Sequence, residues 1–270
     1  MKFHFQQISD YGTKNPIVAR LCLQVKDIIQ FFPLNETQKE NVFGIMCMYV
    51  MPRIMTCYKI NEEIGGEIIK CKEKINEDGI PTQSQGRTLT IPSILNLNER
   101  VETFLYNSKS ALRDFIKIFN IIFNTNLKKE ARYDLVYEWA KGEFGENDNL
   151  TKALKQNHDL WIQQIVRMRN AVEHPGGYAG HLHIHNFRIT YINSKPLLVE
   201  PSWNLNGALA TPIIGDMTTF INNLLTFCEE ILILCLEKLD NKLPVKVVEI
   251  PENERRPECP LRFRVTMDFK

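Results

Sequence analysis

The sequence lacks an excess of charge of either sign, and this sets a first limit on its partners. Its 270 residues carry 33 lysines and arginines against 32 aspartates and glutamates, a formal net charge of +1. A protein that binds nucleic acid through a global positive field is strongly basic, so any such contact has to be local here. A hydrophobic content of 44% and a charged content of 24% are typical of a globular chain with a real core.

Cysteine pairs, long apolar runs and cofactor fingerprints are missing as well. The seven cysteines are scattered without a Cys-x-x-Cys pair, so the sequence predicts neither a zinc ribbon nor a disulfide scaffold. The most apolar run, residues 42–51, has only about ten residues and is too short to span a bilayer. The N-terminal residues resemble no signal peptide, and no phosphate-binding glycine loop, nucleophile elbow or dinucleotide motif occurs. The sequence therefore predicts a cytoplasmic protein with no cofactor and no membrane partner.

Apolar residues recur at three- and four-residue spacing over most of the chain, which predicts a mainly α protein. Residues 1–95 form a predicted N-terminal helical region of unknown role, and residues 96–240 a predicted antiparallel helical bundle. The loop-like residues 79–96 mark the boundary between the two regions, or a loop within one domain. The predicted helices are residues 15–32, 38–51, 60–75, 98–124, 129–141, 150–173 and 215–239.

Two local signals stand out in the N-terminal region. Asn35 or Thr37 can cap the predicted helix that starts at residue 38, because both side chains accept hydrogen bonds from backbone N–H groups of a first turn. Gly65-Gly66 lies inside the third predicted helix, which it weakens by roughly 1 kcal/mol per glycine relative to alanine. Close packing against another backbone is the usual reason for such a pair.

After Pro175-Gly176-Gly177 the apolar period changes from 3.6 to 2, which predicts β structure. Residues 181–200 form a predicted hairpin that turns at Asn193-Ser194-Lys195. Residues 241–270 contain two further strand-like runs, and we expect this β-rich tail to pack on the hairpin. The predicted fold is thus mainly α: an antiparallel bundle with an N-terminal helical extension and a small antiparallel β appendage.

The most informative stretch lies where the predicted helix 150–173 ends. Arg169 and Asn170 are followed by His174 and then by Pro175-Gly176-Gly177, which stop the helix. Arginine binds phosphate oxygens through a fork of N–H donors, and histidine exchanges protons at neutral pH, so the two together suit chemistry on a phosphate. Residues five apart on a helix point about 140° away from each other at 100° per residue. A site composed from two chains fits this spacing better than a site on one helix.

An Arg-Asn-x-x-x-His motif that closes a long helix of an antiparallel bundle resembles the HEPN domain superfamily, whose hallmark is an arginine followed, after four to six residues, by a histidine, with a polar residue directly after the arginine. The resemblance covers residues 96–240. It implies a metal-independent endoribonuclease in which two motifs face each other across the cleft of a homodimer, often as the toxin of a toxin–antitoxin pair. The implied partners are RNA, a second copy of the chain, and an antitoxin or regulatory protein, with no metal ion and no cofactor.

The resemblance also implies roles for individual residues. His174 would transfer protons, and Arg169 would hold the phosphate and stabilise the transition state. Asn170, Arg167 and His181 are the implied binding residues. Other HEPN members have lost activity and serve as RNA- or nucleotide-binding or protein-interaction modules, and this is the alternative function.

Other interpretations of these residues stay open. Arg169 can form a surface ion pair with Glu173, which would leave His174 as an ordinary part of the helix C-terminus. His181, His183 and His185 place three imidazoles on one face of a strand, at a spacing of about 6–7 Å. That spacing favours a structural role over RNA contact, and RNA contact over a metal-dependent enzyme. The tail carries four arginines, Arg255, Arg256, Arg262 and Arg264. They form either an ordinary solvated face or a local patch that contacts the RNA backbone.

Overall fold

The computed structural model describes residues 11–80, 91–127 and 133–268. These residues form a mainly α protein with small antiparallel sheets, which confirms the predicted fold class. Part of the predicted loop 79–96 and the start of the predicted helix 129–141 lie outside the described residues.

The helical elements follow the predicted order along the chain. The α-helices are α1 (Pro16–Val18), α2 (Val25–Ile29), α3 (Glu36–Gly44), α4 (Met51–Asp78), α5 (Leu97–Phe115), α6 (Ile118–Ile122), α7 (Tyr133–Phe144), α8 (Asn149–Asn157), α9 (Gln163–Glu173) and α10 (Ile213–Leu236). Three π-helical segments, Ala19–Gln24, Ile45–Val50 and His158–Ile162, each join two consecutive α-helices without a break. The long predicted helix 150–173 is confirmed as α8, a π-helical segment and α9.

Polar side chains fix where two of these helices begin. The Asn35 side chain accepts a hydrogen bond from the Gln38 backbone N–H at 2.9 Å, and the Gln38 side chain accepts one from the Asn35 N–H at 3.0 Å. This reciprocal capping box satisfies two N–H groups that a first turn leaves without helical partners. Asp148 caps α8 by accepting from the Leu150 N–H at 2.9 Å. Of the two caps that the sequence allowed, Asn35 and Thr37, the structure shows Asn35.

Pro52 does not separate two helices, contrary to the predicted break after residue 51. A proline lacks the N–H of a helical hydrogen bond, and its ring clashes with the carbonyl four residues earlier. Here the π-helical segment Ile45–Val50 comes directly before it, and the Met51 N–H bonds to the Met46 carbonyl five residues back. The wider turn accommodates the proline, so helix continues from Glu36 to Asp78.

The expectation for Gly65-Gly66 is also wrong. A Cβ atom added to either glycine would meet nothing within 4 Å, so no other backbone packs closely against the pair. Both residues lie inside α4, and the structure gives no packing reason for them.

The β strands pair differently from the predicted hairpin 181–200. Only β2 (Arg188–Ile192) and β3 (Lys195–Val199) form a hairpin, which turns through Asn193 and Ser194 with φ of 50° and 61°. The preceding strand, β1 (Leu182–His185), pairs instead with a later one. The remaining strands are β4 (Ser202–Leu205), β5 (Thr211–Pro212), β6 (Val245–Glu249) and β7 (Phe263–Met267).

Three separate antiparallel sheets result from this pairing. One has the strand order β1-β4-β5, the second is the hairpin β2-β3, and the third pairs β6 with β7. The tail strands therefore pair with each other in a sheet of their own. The packing of this tail on the hairpin stays a prediction.

The chain divides into two compact units, each made of segments that are not contiguous in sequence. The first unit comprises residues 1–55, 108–162 and 222–270, and the second unit residues 56–107 and 163–221. These segments do not follow the predicted boundaries at residues 95 and 240, because α4, α5 and α10 each contribute residues to both units.

Each unit has its own apolar core. In the first unit the Phe227 ring lies at the centre of an aromatic group, with ring centroids 5.1 Å from Phe115, 5.8 Å from Tyr133 and 5.9 Å from Trp161. In the second unit the fully buried residues come from four helices and a strand. They include Ile64, Val101, Phe104, Ile165, Met168, Trp203, Ile213 and Met217.

Helix α10 is the one helix among the described residues that is long and apolar enough to span a membrane, with a mean hydropathy of 1.5. Of the window that meets this test, 67% is buried inside the protein. The core helix of a globular protein satisfies the same test, and α10 is mostly buried, as such a core helix is.

A buried carboxylate joins three parts of the first unit. Glu229 of α10 is 1% exposed and forms an ion pair with Arg20. Its Oε1 atom also accepts a hydrogen bond from Gln24 at 2.7 Å. The Gln24 side chain in turn accepts from the backbone N–H groups of Arg262 and Phe263, both at 2.7 Å. This network fixes the strand β7 to the N-terminal helical run.

Candidate functional site

The predicted motif lies at the C-terminal end of α9, within the second unit. Ile165 and Met168 are buried and hold this helix in the core, while Arg169 and Asn170 lie in its last turn. His174 follows the helix directly, and its backbone N–H still bonds to the Asn170 carbonyl at 2.9 Å. The sequence thus predicted correctly where this helix ends.

Arg169 makes two contacts within the second unit. Its Nη1 atom lies 3.3 Å from Oε2 of Glu173, and its guanidinium carbon lies 5.6 Å from the centre of the Tyr106 ring. The ion pair that the sequence left as an alternative is therefore present. The guanidinium has five N–H donors and the side chain remains 16% exposed, so donors remain for a phosphate.

Asn170 has a positioning role toward the loop that follows the helix. The residue is 6% exposed, and its amide donates a hydrogen bond to the hydroxyl of Tyr178, which is itself 84% exposed. Asn170 therefore anchors an exposed aromatic ring beside the motif. Its predicted contact with RNA stays a prediction.

His174 is exposed, and so is Arg167, which lies two residues before Arg169. Within the described residues, the His174 imidazole has no hydrogen-bond or ion-pair partner. The His174 ring is therefore accessible to a substrate.

His181 is brought close to the same loop. A Cβ atom on Gly176 would lie 3.3 Å from Nε2 of His181, and one on Gly177 would lie 3.4 Å from Cβ of His174. Both histidines therefore border the Gly176-Gly177 loop. Arg169 instead lies toward Tyr106 of α5.

The imidazoles of His181, directly before β1, and of His183 and His185 within β1 form a row. Ring centroids of His181 and His183 are 6.2 Å apart, and those of His183 and His185 are 6.4 Å apart, which confirms the spacing expected for one strand face. Throughout the ranges that the structure describes, no group of three or more His, Cys, Asp or Glu side chains is arranged to hold a metal ion.

Two of the four tail arginines are held in close ion pairs within the first unit. Arg255 and Arg262 both contact Glu249 at 2.9 Å, and Arg262 also contacts Glu230 at 2.8 Å. These contacts hold the pKa of the Glu249 carboxyl below its ordinary value, with the Arg262 hydrogen bond as the largest cause. These two arginines therefore do not form a patch of free positive charge for an RNA backbone.

Two aromatic residues of the site were missed from the sequence. Tyr178 directly follows the Gly-Gly pair and is 84% exposed, an exposure that the sequence alone does not reveal. Tyr106 belongs to a different helix, and nothing local in the sequence connects it with Arg169. Only the folded arrangement reveals that contact.

Gly180 gives a test of how the loop is held. A Cβ atom here would lie 1.8 Å from Oδ1 of Asn206, whose side chain accepts from the His181 N–H at 2.8 Å and donates to the Ala179 carbonyl at 3.0 Å. Gly180→Ala is expected to lower the free energy of unfolding by about 1–3 kcal/mol, because it adds this clash to the strain of a positive φ. Urea denaturation followed by circular dichroism measures the change.

The matched control is Gly207→Ala. Gly207 also has a positive φ, +73° against +79° for Gly180, but a Cβ atom there would meet nothing within 4 Å. It carries the backbone strain without the clash, so its loss of stability should be the smaller. Equal losses in the two variants would show that Asn206 moves aside at no cost.

The chain matches no protein-family model, no curated protein and no solved structure. Its function therefore has to be inferred from the chemistry of the second unit itself. That unit presents an exposed imidazole, a guanidinium with spare donors, a row of further imidazoles, and the exposed rings of Tyr106 and Tyr178.

Proposed function

We propose that the protein is a HEPN-like, metal-independent endoribonuclease that cleaves single-stranded RNA in a cleft between two copies of the chain. One observation carries the proposal. The exposed His174 imidazole, without a partner among the described residues, directly follows α9, and Arg169 of that helix is held by Glu173 and by Tyr106 of α5. Proton transfer and phosphate binding are thus offered at one helix end.

The cleavage needs no metal ion when these side chains share the work. One His174 removes the proton of a ribose 2′-OH, and the 2′ oxygen attacks the adjacent phosphorus. The bond from phosphorus to the 5′ oxygen breaks, and the leaving 5′ oxygen takes a proton from solvent water. Arg169 stabilises the negative charge that builds on the phosphate oxygens. The products are a 2′,3′-cyclic phosphate and a free 5′-OH.

The geometry of α9 favours two chains over one. Arg169 lies against Tyr106, whereas His174 lies beyond the helix end at the surface. Residues five apart on a helix diverge by about 140° at 100° per residue, so a second copy brings a His174 to each Arg169 more easily than one chain does. We include Arg167, Asn170 and His181 as RNA-binding residues of this cleft.

The cellular setting belongs to the same proposal. An RNA-cleaving toxin acts in the cytoplasm, and its activity has to be restrained by an antitoxin or a regulatory protein. Exposed tyrosines and imidazoles beside the motif also suit the stacking of unpaired bases.

A second function is favoured by one contact. Glu173 occupies one side of the Arg169 guanidinium at 3.3 Å, and a carboxylate there competes with a phosphate for the same donors. If that ion pair persists with RNA bound, the protein is an RNA-binding module without catalysis.

The test is an RNA cleavage assay with purified protein and a labelled single strand, in EDTA and in Mg²⁺. The wild-type protein should cleave equally in both and leave a 2′,3′-cyclic phosphate. The double variant Arg169→Ala/His174→Ala should be inactive. Its control, Arg264→Ala/His158→Ala, changes one arginine and one histidine of the first unit and should cleave like the wild type. Cleavage by the Arg169→Ala/His174→Ala variant at the wild-type rate would disprove the proposed function.

A further inference from the structure

We propose that the outer face of β1 and β4 binds single-stranded RNA, whose unpaired bases stack on the imidazoles of His181, His183 and His185. This inference deepens the proposed function and rests on it for the choice of RNA as the ligand. It adds a binding surface that extends beyond the helix end of α9.

The two faces of this sheet differ sharply in chemistry. Directly opposed residues of an antiparallel pair lie on the same face, so the register defines both faces. Ile184 opposes Trp203, which is 1% exposed, and Leu182 opposes Leu205 on the face toward the core. His183 opposes Asn204 and His185 opposes Ser202 on the other face.

Polar side chains hold this outer face in place. The Nε2 atom of His185 lies 3.0 Å from Oδ1 of Asn204, and Arg188 donates to the Ser202 hydroxyl at 3.3 Å. The face therefore carries three imidazoles, an amide and the exposed Arg188 guanidinium. These are groups that contact phosphate oxygens and base edges.

The carboxylates near this sheet are engaged elsewhere. Asp216 accepts from the Trp203 ring N–H at 2.6 Å and also from Thr211, Glu200 pairs with Lys72, and Glu173 pairs with Arg169. Within the described ranges, no carboxylate forms an ion pair with any imidazole of β1. Arg188 therefore supplies a positive charge on this face, although the whole chain carries a net charge of only +1.

The spacing of the row favours an unpaired strand over a duplex. The rings lie 6.2 and 6.4 Å apart with interplanar angles of 31° and 14°. A duplex advances only roughly 3.4 Å per nucleotide in each strand and keeps its bases stacked on one another. A single strand can spread its bases to match the longer step, and aromatic side chains then stack on them.

The row also leads toward the proposed cleavage site. Helix α9 packs against β1, and the His181 imidazole lies against Gly176 in the loop that follows His174. A strand that stacks on His185, His183 and His181 in turn therefore arrives beside His174. The binding face would hold the RNA while the helix end acts on its backbone.

Fluorescence anisotropy with a short labelled poly(U) strand tests the inference, in a His174→Ala background that keeps the strand intact. Adding His181→Ala and His183→Ala should weaken binding about tenfold or more, because base stacking on two side chains is lost. His183→Phe, which retains a ring, should bind within about threefold of the parent protein. Thr190→Ala, on the exposed face of β2, is the control and should bind like the parent.

The inference is overturned if the double alanine variant binds as tightly as its parent, or if His183→Phe binds as weakly as His183→Ala. It fails separately from the proposed function. If these variants lose RNA binding and the wild type does not cleave RNA, the binding face is supported and the nuclease is ruled out. If His183→Ala cleaves RNA with an unchanged KM, the nuclease is supported and the binding face is ruled out.

Discussion

Replacing His174 with alanine is expected to slow RNA cleavage by about 10²- to 10⁴-fold, the usual contribution of a positioned acid or base. The imidazole is exposed and has no partner among the described residues, so its removal should leave the fold intact. Single-turnover cleavage in EDTA gives the rate, and thermal unfolding verifies the fold. A loss of less than about threefold would show that His174 performs no proton transfer.

A mixing experiment then tests whether the site is shared between chains. When Arg169→Ala and His174→Ala proteins are co-expressed, half of a random set of dimers is mixed, and each mixed dimer rebuilds one of two sites. The rate should return to about a quarter of the wild-type value if Arg169 of one chain acts with His174 of the other.

The control for mixing is co-expression of His174→Ala with the double variant Arg169→Ala/His174→Ala. No mixed dimer of these chains contains a His174, so activity should stay at the level of the single variant. Inactive mixtures in both experiments would mean that each chain needs its own complete motif, and the two-chain cleft would be wrong.

Replacing Glu229 with alanine is expected to lower the free energy of unfolding by about 3–5 kcal/mol, because it leaves a charged partner without compensation in the interior. Glu229 is 1% exposed, and its carboxylate is contacted by Arg20 and by Gln24. The Arg20 side chain is only 14% exposed, so water cannot replace the lost contacts fully. Guanidinium denaturation followed by circular dichroism measures the effect.

Glu230→Ala provides the matched comparison on the same helix. Glu230 pairs with Arg262 at 2.8 Å, but its side chain is 41% exposed. Exposed ion pairs contribute little, so this variant should lose less than about 1 kcal/mol. Equal losses at residues 229 and 230 would show that burial of the carboxylate is not what matters.

The sequence predicted the helices well where apolar spacing and polar caps agree. The Asn35 capping box and the helix end after Glu173 are both local features, and both are confirmed. Pro52 misled the prediction, because the π-helical segment that accommodates it has no local signature. Wider turns of this kind depend on packing rather than on residue preference.

Long-range arrangement was harder to predict than local structure. Alternating histidines indicated a strand at residues 182–185, but not that it pairs with β4 rather than with its neighbour β2. The Arg169–Glu173 contact follows from spacing alone, whereas the Tyr106 ring that packs on Arg169 comes from a helix far away in sequence. Strand register and such contacts are set by the whole core.

The interleaving of the two units has a consequence for how the chain is made. A ribosome delivers residues from the N-terminus onward, yet the first unit needs residues from 222 onward and the second unit needs residues up to 221. Neither unit can therefore be completed until most of the chain has been synthesised. Truncation at residue 240 would remove part of the first unit, and truncation at residue 95 would remove parts of both units.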